Sequence, residues 1–430
     1  MKQEHQSVPL SRKGFVSNYP HFRYWKKSGV PAMVSPPPLN VYIHIPFCIQ
    51  KCAYCYYKTE AYKNPAQLDA FLDALVGEIE IASRVFHLEG RPLEAVYIGG
   101  GTPSLLQDRM FVRVVETLRR HFVMDKPEFT VEAEPRTITK KKTAFFKELG
   151  VNRLSIGVQS FDNHIIELSG RHHSGQKALE AVDIVKEASD IVVNIDLLSG
   201  LAGETPETWQ RTVQAAIGSG AHNITVYKME TYLNTEFFNE GVRKNNIQLP
   251  DDEAELGFMK TAIEMFGASD YKPWSFFTFT RGGDFHHRYA ANLWHGKDCC
   301  AFGPSAFGLV SEVNYQNIND LDMYKQSVAD GQLPVTRAYA LNSKDRMLRD
   351  ILLGLKLFHF DVGDFICRHG FDFRALIPGI MEELQRDGFI RVEDNIVELG
   401  PKGVLYGDYV AKRLAHGVKE VLGQDHFNIQ

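Results

Sequence analysis

Short apolar segments alternate with amphipathic helical patterns from Asn40 onward, and no other feature of the chain constrains its fold more. Between the first two segments, Leu68, Leu72, Leu75 and Ile79 recur at helical spacing. Strands that alternate with helices pair in parallel through right-handed crossovers. The chain therefore predicts an α/β barrel, and periodicity alone leaves open whether the barrel is full or partial. The six predicted strands cover residues 41–45, 95–98, 129–133, 153–158, 191–198 and 224–229.

Three cysteines lie directly after the first predicted strand. Cys48, Cys52 and Cys55 follow a C-x3-C-x2-C spacing on one short loop. Soft thiolates on such a loop suit an iron–sulfur cluster, and three ligands leave one iron of a [4Fe–4S] cube open to a small molecule. The alternatives are apolar packing and a zinc site completed by a histidine such as His44. No second C-x2-C pair exists, and the remaining cysteines lie far downstream, at Cys299, Cys300 and Cys367.

The segment 42–55 resembles the signature of radical S-adenosylmethionine (SAM) enzymes, written Y-x-H-I-P-F-C-x3-C-x-Y-C. More narrowly, the chain resembles the oxygen-independent coproporphyrinogen III oxidase family from about Asn40 onward. The resemblance implies a partial barrel of six strand–helix units with a [4Fe–4S] cluster on Cys48, Cys52 and Cys55. It also implies two SAM molecules and a reductant such as flavodoxin or ferredoxin. Reduction of the cluster would cleave the SAM bound to the fourth iron to methionine and a 5′-deoxyadenosyl radical.

Polar residues and glycines at the ends of the predicted strands match the SAM-contacting positions of that family. Functional groups of a parallel barrel gather at these ends, where glycines let the backbone approach a ligand. Asp196 stands within an otherwise apolar strand, and a buried carboxylate needs a partner. The resemblance implies that Glu132 pairs with the ammonium group of SAM. The expected SAM contacts are Tyr42, Tyr54, Gly100, Gly101, Thr102, Glu132, Gln159, Arg171, Asp196, Glu230 and Phe307.

Three departures from the family pattern narrow the expected reaction. Coproporphyrinogen oxidases carry a fourth cysteine two residues after the third, where this chain has Tyr57. Haem chaperones carry an H-N-x2-Y-W motif, of which only Trp294 is present, and an acidic–aromatic pair after the last cysteine, where this chain has Tyr56 and Tyr57. The remaining branch is the class C radical SAM methyltransferases, which modify sp2 carbons.

We therefore expect a methyltransferase in which a second SAM donates a methyl group to a flat aromatic substrate. That substrate is a quinone or a tetrapyrrole, with the menaquinone ring favoured. Coproporphyrinogen oxidation and haem transfer are the alternatives. No catalytic base can be assigned from the sequence.

Composition and charge restrict the partners. The net charge is −5 and the chain has no basic tail, so nucleic acid is excluded as a partner. No apolar stretch is long enough to span a membrane and no signal peptide is evident, which predicts a cytoplasmic protein. A lipid quinone as substrate would still bring the protein to a membrane surface.

The chain is long enough for a barrel-sized domain and a smaller one. We divide it into an N-terminal extension over 1–39, a radical SAM core over 40–315 and a C-terminal domain over 316–430. From about Leu341 the pattern becomes helical and ends in two short strands around an Asp-Asn turn. This order is typical of a winged-helix-like module, and its helix over 377–384 is apolar and acidic, unlike a DNA-reading helix.

Overall fold

The computed structural model describes residues 10, 14–26, 38–62 and 64–423. The predicted N-terminal extension, with most of its proline run at 36–38, lies largely outside these residues. The part of it that is described runs from Gly14 to Lys26 and packs Tyr19 and Trp25 into the protein interior.

Six parallel strands, β1, β4, β6, β7, β8 and β9, form an open, partial barrel, which confirms the predicted fold. Six of the seven residues of β1 are buried, as expected for a strand covered on both faces. Helix α1 begins where the Asn64 side chain accepts a hydrogen bond from Gln67 N. The elements of this region are β1 (Leu39–Ile45), β2 (Phe47–Cys48), β3 (Glu60–Ala61), α1 (Pro65–Val85), β4 (Arg91–Gly100), α2 (Asp108–His121), β5 (Phe122–Val123), β6 (Glu128–Ala133), α3 (Lys140–Leu149), β7 (Arg153–Gln159), α4 (Asn163–Leu168), α5 (Gly175–Glu187), β8 (Val192–Ser199), α6 (Pro206–Ser219) and β9 (Asn223–Lys228).

The sheet continues beyond both edges of the barrel. Strand β11 pairs antiparallel with β9, whereas β12 pairs parallel with β1 and leads into the antiparallel strands β13 to β15. These elements are α7 (Asp252–Gly267), β10 (Tyr271–Pro273), β11 (Thr278–Arg281), α8 (Arg288–Trp294), β12 (Cys299–Phe302), β13 (Phe307–Val310), β14 (Val313–Asn317), α9 (Leu321–Ala329) and β15 (Val335–Ala340).

The domain boundary placed between residues 315 and 316 falls inside β14, so the sheet extends past it to Ala340. The physical reason is that β14 is paired on both sides, with β13 and with β15. Buried Glu78 of α1 further joins this extension to the barrel. It accepts hydrogen bonds from Gly303 N (2.7 Å), Asn317 Nδ2 (2.5 Å) and Tyr324 Oη (2.6 Å).

The C-terminal unit has its own core, formed by helices around a three-stranded antiparallel sheet of order β16-β18-β17. The predicted hairpin is present, and its turn contains Asp394 with a φ of 50°. Two residues from elsewhere, Tyr19 and Phe276, are part of this core. The elements are α10 (Ser343–Gly354), β16 (His359–Asp361), α11 (Val362–His369), α12 (Pro378–Arg386), β17 (Ile390–Glu393), β18 (Ile396–Leu399), α13 (Pro401–Leu405) and α14 (Gly407–Leu422).

Among the described residues, no helix combines the length and the apolar character that a membrane crossing requires. The longest, α1, has 21 residues and carries Asp69, Asp73, Glu78 and Glu80. These carboxylates explain why a helix of sufficient length does not qualify.

Candidate active site

A cavity of about 480 Å³ opens at the C-terminal ends of the parallel strands. Its floor and walls come from the ends of β4, β6, β7, β8 and β9 and from the loop after β1. The cavity is lined by Cys48, Cys52 and Cys55, and by every predicted SAM contact except Tyr42 and Phe307: Tyr54, Gly100, Gly101, Thr102, Glu132, Gln159, Arg171, Asp196 and Glu230.

The cysteine loop is closed by backbone pairing at both ends. Strand β2 pairs with β3, so the chain leaves and re-enters next to Cys48. Within the loop, Cys55 N donates to Cys52 O (3.0 Å). Ala53 N donates to Ser169 O, and Ala53 O accepts a hydrogen bond from Phe237 N. These bonds fix the three thiols around one part of the cavity.

The glycine turn after β4 packs directly on this loop. Gly101 N donates to Ile45 O (2.7 Å), and the Thr102 hydroxyl donates to Cys48 Sγ (3.6 Å). A Cβ at position 101 would lie 2.5 Å from Phe47 O and 3.0 Å from Cys48 Sγ. Only glycine fits there, so the turn acts as a close-fitting cradle for the first cysteine.

The donor set fits an iron–sulfur cluster. Burial raises the pKa of Cys48 to about 11 and also raises the pKa of Cys55, so these thiols need a positively charged partner to ionise. Among the described residues, no group of three His, Cys, Asp or Glu side chains converges on a single metal ion. Cluster ligands bind separate irons, so this arrangement suits a cluster better than tetrahedral zinc. His44, the candidate fourth zinc ligand, does not line the cavity.

Two partly buried carboxylates line the same cavity as the three cysteines, and each accepts hydrogen bonds from the barrel strands. Glu132 accepts hydrogen bonds from Tyr97 Oη (2.7 Å) and Gly100 N (2.9 Å), and burial raises its pKa to about 7. Asp196 accepts hydrogen bonds from Ser155 Oγ (2.7 Å) and Asn194 Nδ2 (2.9 Å), and burial raises its pKa to about 6. The partner expected for Asp196 is therefore present.

Arg171 connects the cysteine loop with strand β7. Its Nη1 lies 3.5 Å from Cys52 Sγ and 3.2 Å from Tyr54 Oη, and its Nη2 donates to Gly157 O. The guanidinium therefore places a positive charge beside the cysteine loop.

Three of the predicted SAM contacts need separate description. Tyr42 lies below the cavity, where its hydroxyl is 2.9 Å from His44 Nδ1. Phe307 lies outside the lining and packs edge-on against Trp25 at 5.8 Å. Glu230 lines the cavity, but it accepts hydrogen bonds from Gly14 N (3.2 Å) and Tyr232 Oη (3.0 Å). Their roles as SAM contacts stay predictions.

Two groups of cavity residues are not among the predicted cluster ligands and SAM contacts, although the aromatic content near Phe276 and Phe277 favours a flat apolar substrate. Tyr97 and Ser155 support the two carboxylates, and their signal is a polar side chain at an inward position of an apolar strand. The second group, which we call the roof, comes from the N-terminal segment, the loop before β11 and the C-terminal unit, so no local pattern unites it. The roof consists of Phe15, Phe276, Phe277, Tyr406 and Asp408.

Comparison with known proteins identifies relatives of this chain. The Radical SAM superfamily matches residues 42–216. The chain is 28% identical over 387 residues to the oxygen-independent coproporphyrinogen III oxidase of Pseudomonas aeruginosa, covering 86% of this chain and 83% of that protein. It is 30% identical over 280 residues to the heme chaperone HemW of Escherichia coli, covering 65% of this chain and 72% of that protein.

A solved structure shares the fold over nearly the whole chain. Coproporphyrinogen III oxidase (HemN) from Escherichia coli superposes with a TM-score of 0.81 at 24% identity. The match covers 94% of this chain and 96% of that one. The barrel and the C-terminal unit therefore form an arrangement that this solved protein also has.

Proposed function

Because the chain belongs to the coproporphyrinogen III oxidase-like family of radical SAM proteins, we propose that it oxidises a reduced tetrapyrrole, with coproporphyrinogen III as the leading substrate. The observation that carries the proposal is the meeting of three thiols and two partly buried carboxylates in one cavity at the strand ends. When bound there, a [4Fe–4S] cluster with SAM supplies one-electron cleavage of SAM and hence hydrogen-atom abstraction.

The protein's own residues have separate tasks in this proposal. Cys48, Cys52 and Cys55 hold the cluster. The Glu132 carboxylate accepts the ammonium group of SAM, and Gly101 lets the turn after β4 pack against Cys48 beside it. Asp196 lies two residues nearer the C-terminal strand ends than Glu132 in the sheet register and is suited to the nucleoside. The roof covers these groups and limits the access of water.

The relatives favour oxidation over the methyl transfer expected from sequence. The Pseudomonas aeruginosa protein, named as an oxidase, aligns with 86% of the chain. Because a haem chaperone is also among the relatives, the experiment below must distinguish haem binding from oxidation and from methyl transfer.

Methyl transfer is a second candidate, and one feature of the cavity wall favours it. Tyr57, which replaces the fourth cysteine, stacks on Tyr56 with ring centroids 4.3 Å apart, and Tyr56 packs against Tyr232 at 4.3 Å. All three rings line the cavity. A row of aromatic rings suits a flat apolar ring such as that of menaquinone, with the second SAM as methyl donor.

One experiment distinguishes the three functions: tetrapyrrole oxidation, methyl transfer and haem binding. The cluster is reconstituted under anaerobic conditions, and the enzyme receives a low-potential reductant, SAM labelled in its methyl group, and either coproporphyrinogen III or a demethylated menaquinone. Loss of carbon dioxide with formation of protoporphyrinogen supports the oxidase. Label in the quinone supports the methyltransferase and contradicts the oxidase. Tight haem binding without turnover of either substrate contradicts both.

A further inference from the structure

A buried ion pair lies at the roof of the cavity, outside the residues assigned to the cluster and SAM. Lys356 follows helix α10 and has no exposed surface, and its Nζ donates to Asp408 Oδ1 in the first turn of α14. The same ammonium lies 3.8 Å from the centre of the Phe15 ring and 5.0 Å from that of Phe276. The pair is therefore enclosed by aromatic rings of the roof.

The pairing with Lys356 uses only one of the two carboxylate oxygens of Asp408. Lys356 engages Oδ1, and Oδ2 receives no hydrogen bond from any described residue. Oδ2 is also not among the buried unpaired atoms, and Asp408 lines the cavity. Asp408 therefore offers the cavity a carboxylate oxygen that is accessible and available to a hydrogen-bond donor of a ligand.

The charges of the Lys356–Asp408 pair indicate which kind of hydrogen-bond donor a ligand should carry. Lys356 pairs with Asp408, and the charge of Lys412 also acts on it, so the site gains little from a further cation and favours a neutral N–H or O–H group. The neighbouring rings of Phe15, Phe276 and Phe277 suit the faces of a large aromatic or pyrrolic molecule. A reduced tetrapyrrole offers both features, because its four pyrrole N–H groups are neutral donors at the centre of an apolar ring system.

We propose that Asp408 is a substrate-binding residue that accepts hydrogen bonds from the pyrrole N–H groups of the tetrapyrrole. This assignment rests on the proposed function, since it requires a tetrapyrrole in the cavity. Lys356 acts as a positioning residue, because its ammonium holds Asp408 Oδ1 and so orients the carboxylate. The aromatic rings of the roof then cover the bound molecule.

The test measures binding rather than turnover. Coproporphyrinogen III and zinc coproporphyrin III, which lacks N–H groups, are titrated anaerobically into the full-length protein, and binding is followed by fluorescence. The variants are Asp408→Asn and the double variant Lys356→Met/Asp408→Asn, which leaves no unpaired buried charge. Asp387→Asn, a carboxylate of the same unit outside the cavity, is the control. Circular dichroism verifies folding, and SAM binding is measured on each variant.

The wild-type protein should bind coproporphyrinogen more tightly than the zinc porphyrin. The double variant should lose at least about tenfold in affinity for coproporphyrinogen and little for the zinc porphyrin, because one charge-assisted hydrogen bond is removed. Unchanged coproporphyrinogen binding would overturn the role of Asp408 while leaving the proposed function intact. A selective loss of SAM binding would assign Asp408 to SAM and overturn the proposal. Absence of tetrapyrrole binding by a wild-type protein that still cleaves SAM would refute the proposed substrate, and this inference with it.

Discussion

At the scale of single residues, the cavity surrounds ionisable groups with an environment that disfavours their charged forms. Cys48 has the Thr102 hydroxyl as a neighbour, and Cys52 has the Arg171 guanidinium. Burial raises the pKa of Cys48, Glu132 and Asp196, so the protein surroundings favour the neutral form of each group. A cationic cluster and a cationic ligand would reverse this preference.

Replacing Cys48, Cys52 or Cys55 by alanine should abolish retention of the cluster and formation of 5′-deoxyadenosine. Each change removes one of only three thiols that the cavity offers. Bound iron and 5′-deoxyadenosine are measured after anaerobic reconstitution. Cys367→Ala, an exposed thiol outside the cavity, is the control and should behave like the wild type. Full activity in any of the three variants would refute the cluster assignment.

SAM binding should depend on pH through Glu132. Its pKa of about 7 means that the carboxyl acquires its negative charge as pH rises through 7. If only the ionised form pairs with the ammonium group, SAM affinity should increase about tenfold from pH 6 to pH 8. Equilibrium dialysis measures this profile. Glu132→Gln should bind SAM more weakly and show a flatter profile, and an identical profile in the variant would assign the ionisation to another group.

At the scale of elements, the site depends on how closely the turn after β4 approaches the cysteine loop. Gly100 adopts a φ of 113°, and a Cβ on it would lie 2.7 Å from the His44 ring. Gly101 packs against the backbone of Phe47. These contacts set the position of Cys48 relative to the strand ends.

Gly101→Ala should therefore displace the cysteine loop and weaken the cluster site. The added methyl group would lie 2.5 Å from Phe47 O, and backbone atoms paired on both sides cannot move freely. We expect a several-fold lower iron content at nearly unchanged secondary structure. Gly218→Ala is the matched control, because its Cβ meets nothing within 4 Å on the exposed side of α6. Equal iron content in both variants would contradict the idea that close packing at Gly101 positions Cys48.

Elements differ in how far sequence alone could predict them. The six parallel strands are continuous apolar runs between turn residues, and they were predictable from this pattern. Strand β16 was not, because three residues with one buried side chain, Phe360, carry no periodicity. Ser155 was missed as a partner of Asp196 because its role depends on the register between β7 and β8, which pairs Ser155 with Asn194. The cysteine motif was predictable, whereas the roof depends on tertiary contacts between distant segments.

At the scale of the whole molecule, three separate parts of the chain complete the cavity. Gly14 N donates to Glu230 of the barrel, and Lys412 of α14 donates to Gly14 O (2.7 Å). Phe276, from the loop before β11, inserts into the core of the C-terminal unit. The roof therefore exists only when the N-terminal segment, the barrel and the C-terminal unit are assembled.

Gly407→Ala should test whether this assembly controls turnover. Gly407 is the first residue of α14, and a Cβ there would overlap the ring of Phe276, which is itself buried. The helix must shift away from the barrel, at a cost of about 1–3 kcal/mol in the free energy of unfolding. We expect the variant to cleave SAM but to form less product per 5′-deoxyadenosine, because the roof no longer covers the substrate.

Thermal melting measures the loss of stability of Gly407→Ala, and the ratio of product to 5′-deoxyadenosine measures the effect on the reaction. Gly379→Ala, in α12 of the same unit with nothing within 4 Å of its Cβ, is the control. A destabilised Gly407→Ala variant that keeps the wild-type product ratio would show that the roof contributes to stability and not to the reaction.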